Sequence, residues 1–158
     1  MTMTDQEYIA IAEELGETCY QFYKRSPSGV APEIVQFRTG QDDFVIDAGA
    51  AHSLLRPEAV EAFYHLYRAT GDNRWRSYAW EVFKALRKWA RVEEGGYANL
   101  KDVRWTMEPR KNQDDRMESF FLSETMKYIY LMFAKEDPLP VDKYVLNTEA
   151  HPFPISSH

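Results

Sequence analysis

Several acidic side chains in this sequence sit at positions where a bare charge is costly, and that limits the chemistry they can do. Glu58 and Glu61 follow Pro57 at a spacing of three residues, so a helix starting there projects both carboxylates from one face of its first turns. The helix macrodipole favours negative charge at that end. A capping pair of acids is therefore one reading, and a working pair of carboxylates is the other. Arg56, just before Pro57, is placed to pair with either. Glu118 and Glu124 fall among Met117, Phe120, Phe121, Leu122 and Met126, and a carboxylate in such company needs a cation, a water network or a ligand. Thr148 stands beside Glu149 and ahead of Pro152 and Pro154, which favour an extended tail. Threonine offers a carbonyl and a hydroxyl, both hard oxygens of the kind calcium takes. EF-hand, phosphate-loop, HExxH and Cys/His metal patterns do not occur, and His52, His65, His151 and His158 lack ligand-like spacing.

These residues have to be positioned by helices. Residues 5–24 repeat Tyr8, Ile11, Ala12, Leu15, Cys19 and Phe22 at helical spacing, with Thr4 or Asp5 as the N-cap and Gly16 as a weak point. Ser26-Pro27-Ser28-Gly29 breaks the chain, residues 32–37 alternate like a short extended segment, and residues 38–53 read as loop. A second helix is predicted from Pro57 to Thr70, with Gly71 at its C′ position and Val60, Phe63, Tyr64 and Tyr67 on its apolar face. Asp72 or Asn73 caps a third helix that carries Trp75, Tyr78, Ala79, Val82, Leu86, Trp89 and Ala90. Gly95-Gly96-Tyr97 forms a turn, a polar loop runs to about Asp114, and a fourth, strongly apolar helix spans residues 115–133. Pro138 and Pro140 stop it ahead of an extended tail. The expected class is all-α, built of helical hairpins without a tandem repeat.

The 158 residues suffice for one domain with a substantial core. Composition is that of a globular protein, at 44% hydrophobic and 28% charged. A net charge of -6 with no basic arm excludes nucleic acid as the main partner. The aromatic content of 15% suits either sugar stacking or filling between helices. Cys19 is the single cysteine, which rules out an internal disulfide and by itself suggests a reducing compartment or an unpaired leftover. The opening Met-Thr-Met-Thr-Asp-Gln has neither a basic nor an apolar stretch of a signal peptide, and no run is long enough to span a membrane.

Six segments in order, ETCYQFY, APEIVQF, LLRPEAVEAFYHLYRATGD, GGYANLKDV, RMESFFLSETMKYIYLMF and YVLNTEAHPFPI, resemble the closing third of the class I α-1,2-mannosidases, glycoside hydrolase family 47. The resemblance implies an (α/α)7 barrel, a toroid of helical hairpins, with residues 1–158 as a C-terminal fragment of its single catalytic domain. It implies that Glu58 is the catalytic base. Arg56, Glu33, Glu61, Glu124 and Glu149 would line the sugar site and hold the water shell of a calcium ion (Ca2+). Phe120 would lie beneath the mannose ring, and Thr148 would bind the calcium directly.

The implied reaction is hydrolysis of terminal α-1,2-linked mannose from high-mannose N-glycans with inversion, in the secretory pathway of the parent protein (endoplasmic reticulum or Golgi). Inversion requires a wide separation of carboxylates, with room for a water. The family's general acid, its second essential carboxylate and a sugar-site arginine match nothing in this sequence, and neither does the upstream disulfide partner of Cys19. The chain is therefore expected to need the missing N-terminal part of the same barrel and to be a poor enzyme alone. The alternative implied by the family is a non-catalytic high-mannose glycan-binding relative that escorts misfolded glycoproteins. An unrelated helical scaffold whose acids are ordinary helix caps is disfavoured by the ordered motifs.

Overall fold

Thr4 and Glu7 close the first helix with a reciprocal capping box. The Glu7 N–H donates to Thr4 Oγ1 at 3.3 Å, and the Thr4 N–H donates to Glu7 Oε2 at 2.7 Å. The structure, a computed structural model, describes residues 3–40 and 43–156; His158 lies outside them. Helix α1 spans Asp5–Lys24, α2 Glu58–Thr70 and α3 Asn73–Trp89. A short α4 (Pro109–Asn112) and α5 (Met126–Phe133) complete the helices. Two small antiparallel pairs join them, β1 (Gln36–Phe37) with β2 (Phe44–Val45), and β3 (Tyr144–Leu146) with β4 (Pro152–Pro154). No helix among the described residues is long and apolar enough to cross a membrane.

The chain forms two compact units. The first joins residues 3–16, Pro57–Trp80 and 119–156. Its core is Val60, Phe63, Tyr64, Trp75, Phe121, Tyr128 and Ile129, all buried. The rings of Phe63 and Trp75 stack at 6.0 Å, and those of Tyr64 and Tyr128 meet at 5.5 Å. Gly71 ends α2 as expected, with φ 71° and its N–H donating to the Tyr67 carbonyl at 2.8 Å. Asp72 caps α3 by accepting the Arg74 N–H at 2.8 Å.

Helix α1 lies where its spacing predicts it. Tyr8, Ile11 and Leu15 of its apolar stripe are exposed, and Gly16 is the buried residue of the helix. The helix docks on its smallest side chain: a Cβ at Gly16 would lie 2.5 Å from Leu66 Cδ1 and 3.0 Å from the Trp75 ring. Glycine's low helix propensity is offset there by a close helix contact.

The second unit joins residues 17–40, 43–56 and 81–118. Its core includes Val30, Ala51, Leu55, Val82, Leu86, Leu100 and Val103. The region expected as polar loop is organised by two buried asparagines. The Asn112 side chain accepts the Asp102 N–H and donates to the Asp102 carbonyl, each at 2.9 Å. The Asn99 N–H donates to the Arg116 carbonyl at 2.9 Å, and the Asn99 carbonyl accepts the Asp114 N–H at 2.8 Å. These bonds commit the backbone of residues 114–116 to loop pairing, so the last helical run starts at Ser119, not at residue 115. Strand β2 and a 3-10 turn at Ala48–Ala50 likewise lie where only loop was expected.

Candidate active site

The helix start at Pro57 sets the first carboxylates. Glu58 is exposed on the first turn of α2, and Glu61 is half-buried one turn on, its N–H donating to the Pro57 carbonyl at 2.8 Å. The expected common face is present, and Glu61 has a partner that sequence spacing did not name. Glu61 Oε1 accepts the hydroxyl of Tyr128 at 3.1 Å. Burial, together with the neighbouring Glu61 charge, holds that fully buried phenol well above its usual range, so it stays a donor.

Glu124 reaches the same neighbourhood through a local widening of the helix. Residues Phe121–Thr125 form a π-helical turn, in which the Met126 N–H donates to the Phe121 carbonyl five residues back. Glu124 is 8% exposed. Its carboxyl is pushed above the ordinary carboxylate range, by burial first and then by the charges of Glu149, Glu58 and Glu61, with Lys127 opposing. Phe120 is half-buried just ahead of the π turn, and Phe121 is fully buried. Glu118, which sequence spacing placed on this helix, lies before it and accepts the Asn99 side-chain amide at 3.0 Å in the other unit.

The tail is more ordered than an extended strand. Strands β3 and β4 pair as a hairpin, and Thr148 and Glu149 are exposed at its turn. Asn147 shapes that turn: its Oδ1 accepts the N–H groups of Glu149 at 3.0 Å and His151 at 2.8 Å. Ala150 is fully buried with φ 56°, and its carbonyl accepts the Lys127 ammonium at 2.8 Å.

Arg56 and Glu33 form an ion pair within the second unit. Arg56 Nε donates to Glu33 Oε2 at 2.6 Å, and Glu33 Oε1 accepts the Leu54 N–H at 2.8 Å. Arg56 thus has Glu33 as a partner within its own unit. Leu55 between them has φ 60°, a left-handed conformation that turns the chain toward α2.

Glu58, Glu61 and Glu149 thus each act electrostatically on Glu124 within the first unit. No three His, Cys, Asp or Glu residues among those described converge as a metal cage. The exposed Thr148 carries a hydroxyl and a carbonyl, both hard oxygens, beside the exposed Glu149. Sequence reasoning missed Lys127, Tyr128 and Asn147. The first two lie three and four residues beyond Glu124, the spacing that shares a helix face, and that was the available signal.

The family model for Glycosyl hydrolase family 47 matches residues 1–155 of this chain. A mannosyl-oligosaccharide 1,2-alpha-mannosidase of Arabidopsis thaliana is 41% identical over 98% of the chain and 27% of its own length. The endoplasmic reticulum mannosyl-oligosaccharide 1,2-alpha-mannosidase of Homo sapiens is 43% identical over 94% of the chain and 22% of its own length. The chain thus spans about a quarter of the length of these relatives. Among solved structures, an alpha-1,2-mannosidase from Trichoderma reesei superposes with a TM-score of 0.86 at 33% identity, covering 96% of this chain and 35% of that one.

Proposed function

The chain belongs to glycosyl hydrolase family 47, and we propose that it supplies the base and the metal anchor of an inverting, calcium-dependent α-1,2-mannosidase acting on high-mannose N-glycans. The observation that carries this reading is the gathering of Glu58, Glu61, Glu124 and Glu149 in one unit with the exposed Thr148 turn. In this reading the helical pairs contribute to an (α/α)7 toroid, and the work is done in the secretory pathway, in keeping with the human relative's name.

Glu58 suits the base because it is exposed on the first turn of α2, where water has access. Inversion needs that water between the base and the anomeric carbon. Calcium would be held by the Thr148 carbonyl and hydroxyl and, when bound, would orient sugar hydroxyls as a template. Glu61, Glu124 and Glu149 would hold its water shell, and Phe120 would support the ring from below. Arg56 and Glu33 would line the sugar site as a fixed pair. None of the residues matched to the family takes the general acid's role, so the acid is proposed to come from elsewhere in the toroid.

The test compares this chain with a protein that includes the rest of the toroid, using an α-1,2-linked mannose substrate. The chain alone should release no measurable mannose. The longer protein should turn over only with calcium, and Glu58→Gln should lower its kcat by at least roughly 10²–10⁴-fold while glycan binding persists. Near-normal turnover by that variant removes Glu58 from the base role, and calcium-dependent turnover by the short chain removes the need for an outside acid.

A further inference from the structure

We propose that Lys127 is a positioning residue that ties the Thr148 turn to α5 and so holds the turn's oxygen donors ready for a cation. The metal half of this proposal rests on the calcium reading above, whereas the strap itself rests on geometry alone.

The turn has two sets of bonds. Its internal shape comes from Asn147, which accepts the Glu149 and His151 amides on its side chain and the Ala150 amide on its carbonyl at 2.9 Å. Those bonds fix the shape of the turn and not its place. Lys127 supplies the place, since its ammonium donates to the Ala150 carbonyl at 2.8 Å across 23 residues of sequence. Ala150 needs such an anchor, because it is buried and held at φ 56°, a left-handed conformation that a residue with a Cβ disfavours.

The same stretch of helix serves the rest of the cluster. Glu124 lies three residues before Lys127, and Tyr128, the next residue, donates to Glu61. Residues 124–128 thus hold one carboxylate, steady a second and fasten the turn next to a third.

Two roles for Lys127 predict opposite signs. A lysine acting only through its charge repels a nearby metal ion, so its removal would tighten metal binding. A lysine acting as a strap pre-organises the donors, so its removal would loosen metal binding.

The experiment uses the full chain with Lys127→Met and Lys127→Arg, with two readouts. The first is amide hydrogen exchange at Asn147, Ala150 and His151 in metal-free buffer. The second is terbium binding, followed by aromatic-sensitised luminescence, with calcium as competitor. In Lys127→Met those amides should exchange at least about tenfold faster while α2 core amides keep their protection, and terbium affinity should fall at least about tenfold. Lys127→Arg should recover most of both. Unchanged exchange at the turn overturns the strap, and tighter terbium binding in Lys127→Met overturns the pre-organising role. If the wild-type chain takes neither terbium nor calcium, the calcium reading falls and exchange alone decides the strap.

Discussion

In the unit that carries Arg56, the Glu33 carboxylate receives a guanidinium on one oxygen and a backbone N–H on the other. In the unit that carries α2 and α5, Glu124 is the more buried carboxylate, and the nearest named charges are three further carboxylates and one lysine. That lysine spends a hydrogen bond on the Ala150 carbonyl. Glu33 is thus a charge whose partners are built in, and Glu124 is a charge whose partner has to arrive. A carboxylate of the first kind holds a loop in place, and one of the second kind leaves room for a cation or a substrate hydroxyl.

The difference can be broken by making the same kind of change at both places. At Glu33, truncation to Ala leaves the Leu54 amide without its acceptor and Arg56 without its carboxylate. The cost should be about 2 kcal/mol, read as a lower urea midpoint at unchanged slope. Glu33→Gln keeps one acceptor and should cost about half as much. At Glu124, replacement by Gln removes a charge that its neighbours disfavour. In metal-free buffer this variant should be as stable as the parent or more stable, by roughly 0.5–1 kcal/mol. A loss of stability in Glu124→Gln as large as that in Glu33→Ala would show that both carboxylates are structural and that the contrast is false.

Sequence pattern made the helical frame legible because hydrophobic period and end signals agree there. Thr4 with Glu7, Gly71 and Asp72 each mark a boundary by a local mechanism. The partners of the acidic residues were less legible. Arg56 bonds Glu33 at a separation of 23 residues, and nothing local announces that partner. The fourth helix was drawn too long because no capping or breaking residue marks a boundary within residues 115–118, while the buried Asn99 that pairs with the backbone of residues 114 and 116 stands in a loop far upstream. The π turn at Phe121–Thr125 has no period of its own to read. The spacing of α1 marks the helix but not the residue that packs, and Gly16 is where it makes its close approach.

The smallest effect, and the one that sharpens the contrast most, is the pH dependence of stability. Glu124 has a folded pKa above its ordinary value of 4.5. A raised carboxyl pKa means that the folded state binds the proton more tightly than the unfolded chain does. The resulting contribution to stability is complete below the ordinary value and is lost as pH rises through the raised one. The metal-free chain should therefore lose stability from about pH 4.5 upward through that window, a fall that Glu124→Gln removes and Glu33→Gln does not. Added calcium should flatten the same fall in the parent, because a cation beside four carboxylates favours their charged forms. The measurement is a set of urea midpoints across the window with and without the metal. If calcium leaves the parent's profile unchanged while Glu124→Gln flattens it, the surplus charge is real but is not a calcium site.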